Sequence, residues 1–109
     1  MSKRQALHSK IRSSKEWKEF RKFMGTTYSN GMDALTDQKL RPGWNLHHCS
    51  LKDEEYDKFE PYSFVCLNRK SHDCVHFLWG KDGRNWKKKV ANLVGILQRM
   101  EELNLNSDK

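Results

Sequence analysis

The apolar positions in the first quarter of the chain recur at helical spacing. Trp17, Phe20, Phe23 and Met24 lie at positions i, i+3, i+6 and i+7, which share one helix face. Ser13 or Ser14 is available as a cap for this segment, and Gly25 is available as a stop. The pattern predicts a basic N-terminal helix within the first 25 residues.

Two short runs in the middle of the chain predict strands, and the segment after them predicts a helix. WNLHHCSL, Trp44 to Leu51, begins with alternating apolar and polar residues that lead to two adjacent histidines. The second strand is predicted for the apolar run FVCL, Phe64 to Leu67, and an acidic loop, Lys52 to Glu60, lies between the two. The spacing then becomes helical in NRKSHDCVHFLWG and ends at Gly80. A turn-rich connector precedes the first strand. Because helical segments lie before and after the two strands, the fold class predicted is α+β.

A third helical pattern covers the C-terminal part of the chain. Apolar residues recur at intervals of three and four from Trp86 to Leu103, which predicts an amphipathic helix over residues 84–104. This stripe is interpreted as core or as a dimer surface, in preference to a cofactor-binding face.

The length of 109 residues favours one compact domain, residues 1–109. No run approaches the roughly 18 apolar residues of a membrane span, and the N-terminus lacks the apolar core of a signal peptide. A soluble, cytoplasmic protein with no membrane partner is expected. Its cysteines, Cys49, Cys66 and Cys74, are odd in number and form no C-x-x-C pair, so reduced structural thiols are predicted.

Positive charge is concentrated near the two ends of the chain. The formal net charge is +7, and residues 1–22 hold eight Lys or Arg against two Glu. A second cluster, KDGRNWKKK, covers Lys81 to Lys89. Basic clusters attract phosphates through counterion release, although a solvated face that confers solubility is an equal alternative for either cluster alone.

Four of the five histidines fall in the predicted strand and helix. His72 and His76 are four residues apart, which places both imidazoles on one helix face and allows them to chelate a metal. His47 completes a three-histidine site if the hairpin packs on the helix, leaving coordination positions open. Adjacent residues of a strand point to opposite faces, so His48 is expected to do a different job from His47. The pair on the helix alone would be an ordinary surface feature, but the compound pattern predicts a metal site.

The segment from Leu46 to Trp79, with LHHC followed by PYSFVCLNRKSHDCVH, resembles the HNH endonuclease family. The wider stretch over residues 28–80 is similar to the small stand-alone HNH proteins often encoded by phages. The resemblance implies a ββα-metal core at residues 44–80, with flanking N-terminal and C-terminal helices. It also implies that His47, His72 and His76 bind one divalent ion and that His48 is the general base.

The sequence departs from the family pattern at two places. The family's middle Asn, which fixes the loop and orients the base, aligns with Ser63, which is therefore included with His48 among the candidate catalytic residues. Asn68 lies after the second strand and is assigned a helix-capping or turn role instead. Relatives with a separate structural zinc carry C-x-x-C pairs where this chain has Asn68 and Ser71, and Met32 and Leu35, so no structural zinc is expected.

The function predicted is metal-dependent hydrolysis of DNA phosphodiester bonds by a one-metal HNH mechanism. Three neutral histidines favour Zn²⁺, Ni²⁺, Co²⁺ or Mn²⁺ over Mg²⁺. DNA is the expected partner, with RNA as the alternative, and the protein is expected to be a monomer or a homodimer, in the host cytoplasm if phage-encoded. Two other hypotheses stay open, a catalytically silent HNH scaffold that binds nucleic acid or protein, and a structural metal domain. The candidate nucleic-acid-binding residues are Arg41, Arg69, Lys70, Lys81, Arg84, Lys87 and Lys88.

Overall fold

The computed structural model describes residues 3–50 and 58–107, which form an α+β fold of four α-helices and a two-stranded antiparallel sheet. The elements, in chain order, are α1 (Lys3–Arg12), α2 (Lys15–Phe23), β1 (Asn45–His48), β2 (Phe64–Leu67), α3 (Arg69–Trp79) and α4 (Trp86–Ser107). The chain divides into two compact units, Met1–His72 and Asp73–Lys109, and the division falls inside the continuous helix α3. The single-domain organisation stays a prediction. Most of the predicted acidic loop lies outside the described residues.

Two serines divide the N-terminal segment into two helices where the sequence predicted one. The hydroxyls of Ser13 and Ser14 donate to the carbonyl oxygens of Lys10 and Ile11, at 2.9 and 2.6 Å, at the end of α1. The Ser14 hydroxyl also accepts the N–H of Trp17 at 3.2 Å, so Ser14 is the N-cap of α2, as predicted. Because a serine hydroxyl competes for backbone groups, the pair ends one helix and begins the next.

Gly25 does not stop α2, because the backbone continues into a π-helical turn over Met24–Tyr28. Gly25 is buried, and a Cβ at this position would lie 2.6 Å from the nearest atom of the Trp44 indole ring. The missing side chain therefore allows the indole, which directly precedes β1, to pack on the helical backbone.

The register of the hairpin assigns its side chains to two faces. His48 pairs with Phe64 and Leu46 with Cys66, whereas His47 pairs with Val65. Directly opposed residues of an antiparallel pair share a face, and successive residues alternate. His48 is therefore on the face of the buried Phe64 and Cys66, and His47 is on the other face. Strand β2 has the predicted bounds.

The hydrophobic core of the first unit forms between α2 and the hairpin. Trp17, Met24, Phe64 and Cys66 are buried in one cluster. Trp17 contacts Phe64 edge to face at 5.9 Å between ring centroids, and Phe20 contacts the same ring at 5.1 Å. These contacts hold α2 against the face of the hairpin that carries His48.

Asp33, in the connector before β1, is fully buried and accepts hydrogen bonds from two chain segments. Its Oδ1 accepts the N–H groups of Leu35 and Thr36, both at 2.8 Å, and the Thr36 hydroxyl at 3.0 Å. Its Oδ2 accepts the N–H of Asn68 at 2.6 Å, and the Ser71 side chain also donates to this carboxylate. Burial raises the pKa of the Asp33 carboxyl, but the hydrogen bonds outweigh burial and hold this pKa below its ordinary 3.8. The carboxylate ties the connector to the start of α3.

Asn68 adds a second link between the same two segments. Its Oδ1 accepts the N–H of Arg41 at 2.8 Å, and its Nδ2 donates to the carbonyl oxygen of Lys39 at 3.0 Å. Asn68 directly precedes α3, and its carbonyl accepts the N–H of His72 at 2.9 Å. The side chain therefore has a loop-bridging role, which fixes the position of the first turn of α3.

The second unit contains the rest of α3 and the long helix α4. Helix α3 is followed by Gly80, whose φ of +73° is the conformation of a glycine that ends a helix, as predicted. The large apolar side chains of α4 that remain exposed are Trp86, Val94, Ile96, Leu97, Met100, Leu103 and Leu105. In the described part of the chain, no helix carries an apolar stretch long enough to cross a bilayer.

Candidate metal centre and phosphate pocket

Three histidines from β1 and α3 converge in the structure. The candidate ligand atoms of His47, His72 and His76 all lie within 4.8 Å of one another. The imidazoles of His47 and His72 meet edge to face, with 5.3 Å between ring centroids and an interplanar angle of 70°. His76 follows His72 by one turn of the same helix. Strand alternation directs His47 to this face, and the Asp33 and Asn68 links hold the start of α3 beside it.

The geometry and chemistry of this cluster fit one divalent ion. Imidazole nitrogens bind zinc at about 2.0–2.1 Å, so two nitrogens of a tetrahedral site lie about 3.4 Å apart. With the candidate atoms already within 4.8 Å of one another, small side-chain rotations bring them to that separation. The cluster consists of imidazoles without a carboxylate, a set that suits borderline ions better than Mg²⁺. The three predicted ligands are therefore close enough to bind a metal ion.

His48 occupies the opposite face of β1, as the strand alternation predicted. Its ring stacks on Phe64 with 4.6 Å between centroids and an interplanar angle of 15°, and its Nε2 is buried. The Ser63 carbonyl accepts the N–H of Cys49 at 2.8 Å, which extends the strand pairing by one residue beyond His48. The backbone of Ser63 therefore fixes the end of the strand that carries His48.

A cavity of about 310 Å³ beside β1 brings histidines from both faces of the strand together. Within the described residues, β1 pairs only with β2, so its other edge is open and side chains of both faces can reach the same space. Two arginines also line the cavity, and none of the lining side chains is acidic. The lining residues are Arg12, Trp17, Arg21, Trp44, Asn45, Leu46, His47, His48 and His72.

The two arginines of this cavity were not among the predicted site residues. Arg21 is held in place by Trp44, because its Nη2 donates to the Trp44 carbonyl oxygen at 2.6 Å and its guanidinium carbon lies 3.8 Å from the centroid of the indole ring. Arg12 comes from the end of α1, where its Nε donates to the carbonyl oxygen of His8 at 3.3 Å. The basic N-terminal cluster was the available signal, but sequence spacing does not say which of its eight cations faces the histidines. Guanidinium and imidazole groups are both side chains that bind phosphate groups in proteins.

The predicted nucleic-acid-binding residues fall into two groups. Arg41, Arg69 and Lys70 line one cavity of about 430 Å³ in the first unit, next to the start of α3. The other group lies in the second unit, where Arg84 forms an ion pair with Asp82 at 3.0 Å. Its members, Lys81, Arg84, Lys87 and Lys88, are exposed.

The cysteines lie outside the histidine cluster. Cys66 is buried in the core, and burial raises the pKa of its thiol, which keeps it protonated. Cys49 is exposed beside His48, and Cys74 is half-buried. All three are free thiols in the structure, and of the three only Cys66 has the buried position of a structural thiol.

In comparisons with known proteins, no family model, curated protein or solved structure matches this chain.

Proposed function

We propose that the protein is a metal-dependent endonuclease that hydrolyses DNA phosphodiester bonds, with β1, β2 and α3 acting as a ββα-metal core. The observation that carries the proposal is the cavity in which His47 and His72 meet His48 and two arginines. Hydrolysis of a phosphodiester needs a proton acceptor for water and positive charge around the phosphorane. One cavity lined by imidazoles and guanidinium groups offers both.

His47, His72 and His76 would hold the divalent ion through one nitrogen each. When bound, the ion supplies positive charge to the scissile phosphate and to the departing O3′. The preference for a borderline ion among Zn²⁺, Ni²⁺, Co²⁺ and Mn²⁺ follows from the three imidazoles. Arg12 and Arg21 add permanent positive charge to the same cavity, so they hold the phosphate in place for attack.

His48 is the proposed general base, and its surroundings indicate which nitrogen takes the proton. Because Nε2 is buried and the ring lies flat on Phe64, we assign proton transfer from water to Nδ1. Stacking on Phe64 fixes the plane of the imidazole, which limits its motion during the transfer. Ser63 holds the end of the strand through its carbonyl bond to Cys49, so its contribution to the base is one of position.

The experiment that tests the proposal is plasmid nicking by wild type and His48→Ala after metal removal and the addition of Mg²⁺, Mn²⁺, Ni²⁺, Co²⁺ or Zn²⁺ in turn. Loss of a general base is expected to reduce the cleavage rate by about 10²–10⁴-fold, with metal affinity unchanged. Cys49→Ala is the matched control, because Cys49 is the adjacent residue, is exposed and lies outside the metal cluster. This control is expected to cut like wild type. Full activity in His48→Ala would show that another group takes the proton.

A catalytically silent scaffold is the second candidate, and the burial of His48 Nε2 favours it. A half-buried, stacked imidazole whose Nε2 is buried, with a Ser in place of the family's Asn, suits a packing role. In that case wild type binds metal and DNA but cuts no plasmid with any of the five ions.

A further inference from the structure

Arg21 and Trp44 line the histidine pocket and also a second cavity, of about 340 Å³. Three lysines, Lys18, Lys22 and Lys39, line this second cavity together with Arg21, and its lining contains no acidic side chain. The two cavities therefore adjoin at the stacked arginine and indole. Together their basic side chains, all of them in the first unit, define a basic surface.

Helix α2 builds most of this surface from one face. Lys18 and Lys22 are four residues apart, and Arg21 lies between them at a spacing of three from Lys18, so all three side chains share a face of the helix. Glu19 is not part of the cavity lining and instead forms an ion pair with Lys15, at 3.9 Å. The helix thus directs three of its four cations into the cavity and keeps this acid outside it.

Arg21 is suited to sit between two bound phosphates. A guanidinium has five N–H donors, and the bond to the Trp44 carbonyl uses one of them. Because the indole face and this carbonyl fix the group, less side-chain freedom is lost when an anion binds. An anchored arginine between two cavities can hold a polyanion whose charges repeat at short intervals, as the phosphates of a nucleic acid strand do.

We propose that this second cavity binds the sugar-phosphate backbone of the DNA strand next to the phosphate that occupies the histidine pocket. The proposal rests on the endonuclease function for the identity of the strand. Lys18, Lys22 and Lys39 contact the flanking phosphates, and Arg21 connects them to the histidines. The contacts are to the backbone, so they set the position of the strand and carry no base preference.

The test is DNA binding by the metal-free full-length protein, measured by fluorescence anisotropy with a duplex of about 20 base pairs over a series of salt concentrations. The variant Lys18→Gln/Lys22→Gln/Lys39→Gln removes the three lysines of the cavity. The matched control, Lys10→Gln/Lys15→Gln/Lys58→Gln, removes the same charge from exposed positions of the same unit that do not line either cavity. The variant Lys18→Arg/Lys22→Arg/Lys39→Arg keeps the three charges. Its binding therefore shows whether substitution at these positions disturbs the fold or only the loss of charge matters.

The cavity variant is expected to weaken binding on the order of tenfold and to reduce the slope of log K against log salt by about 2 to 3, since each phosphate contact contributes about 0.9. The matched control is expected to change that slope by less than about 1, and the arginine variant to bind like wild type. Equal weakening by the cavity variant and the control would overturn the proposal, as would wild-type binding by the cavity variant. Poor binding by the arginine variant also counts against it.

Failure of this proposal and failure of the endonuclease proposal give different results. If wild type cuts DNA but the cavity variant binds normally, the strand runs elsewhere and the nuclease function stands. If the cavity variant loses binding while wild type never cuts, the backbone site stands on a scaffold without catalysis.

Discussion

Two polar clusters lie beside the hairpin. One is a buried carboxylate that accepts hydrogen bonds from the protein, and the other is a set of three histidines whose nitrogens converge. The Asp33 carboxylate is fully buried and accepts hydrogen bonds from donors of the protein itself, both in the connector and at the start of α3. The histidine cluster brings three nitrogen ligands from β1 and α3 within 4.8 Å of one another. An anion surrounded by donors is complete within the protein, whereas three converging imidazoles match a cation from solution.

The Asp33 network therefore contributes to stability through the protein's own hydrogen bonds, whereas the histidines are close enough to bind a metal ion. Asp33 lies between Met32 and Leu35, and its partners include Asn68 and Ser71, so the network occupies the positions where the family resemblance places the structural zinc of some relatives. In this chain, hydrogen bonds link the connector to the start of α3, which are the two segments that the zinc ion links in those relatives.

Substitution of Asp33 by Asn is expected to have the largest effect on stability. An amide offers acceptor oxygen on one side only, so its NH₂ faces either the Asn68 N–H or the donors of Leu35 and Thr36. Loss of charge-assisted bonds together with an unsatisfied buried donor is expected to cost about 3 kcal/mol of the free energy of unfolding. The urea midpoint measures this loss.

Asp37→Asn is the matched control for that substitution. Asp37 is exposed and has a φ of +59°, a conformation that Asn tolerates as well as Asp. This substitution is expected to change the free energy of unfolding by less than about 0.5 kcal/mol. If Asp33→Asn is equally mild, the buried carboxylate does not organise the connector and the contrast between the two clusters fails.

Metal binding is expected to have the next largest effect on stability, and this effect is expected to require the three histidines. An ion at 100 times its dissociation constant stabilises the folded protein by about 2.7 kcal/mol, which a thermal melt with Zn²⁺ or Ni²⁺ detects. His72→Ala is expected to lose this stabilisation, because it removes one of three ligands. Asp73→Asn, the neighbouring exposed position, is the control and is expected to keep it.

The same melts separate a functional metal from a structural one. The metal-free wild type is expected to unfold cooperatively, since the aromatic core around Trp17 and Phe64 and the Asp33 network are independent of any ion. An unfolded metal-free protein would contradict this expectation and would favour the structural metal domain.

Features with local signals were predictable from the sequence. Strand β2 follows from four consecutive apolar residues, the start of α2 from the Ser14 hydroxyl, and the end of α3 from Gly80 in a left-handed conformation. The three-histidine cluster followed from helix spacing and strand alternation together with the family resemblance. Each of these depends on a few neighbouring residues.

Features that depend on distant contacts were not predictable. Asp33 lies in a connector without periodicity, and its closest partner, the Asn68 N–H, is 35 residues away in the chain. Arg12 lies at the end of α1 and Arg21 on α2, and both line the histidine pocket, although Ser13 and Ser14 separate the two helices. The sequence shows many cations there, but only the tertiary structure shows which of them line the pocket.

The smallest effect expected is the pH dependence that Asp33 gives to stability. Its folded-state pKa lies below the ordinary 3.8, so above that pH the carboxylate is charged in both states and its contribution is complete. As the pH falls below 3.8 the unfolded chain takes up the proton first, and the contribution is lost progressively towards the lower folded-state pKa. The measurement is the difference in urea midpoint between wild type and Asp33→Asn at about pH 7, 5, 4 and 3. The difference in urea midpoint is expected to be the same at about pH 7 and 5 and to be smaller at about pH 3. An unchanged difference at the lowest pH would mean that the network does not require the charge of Asp33.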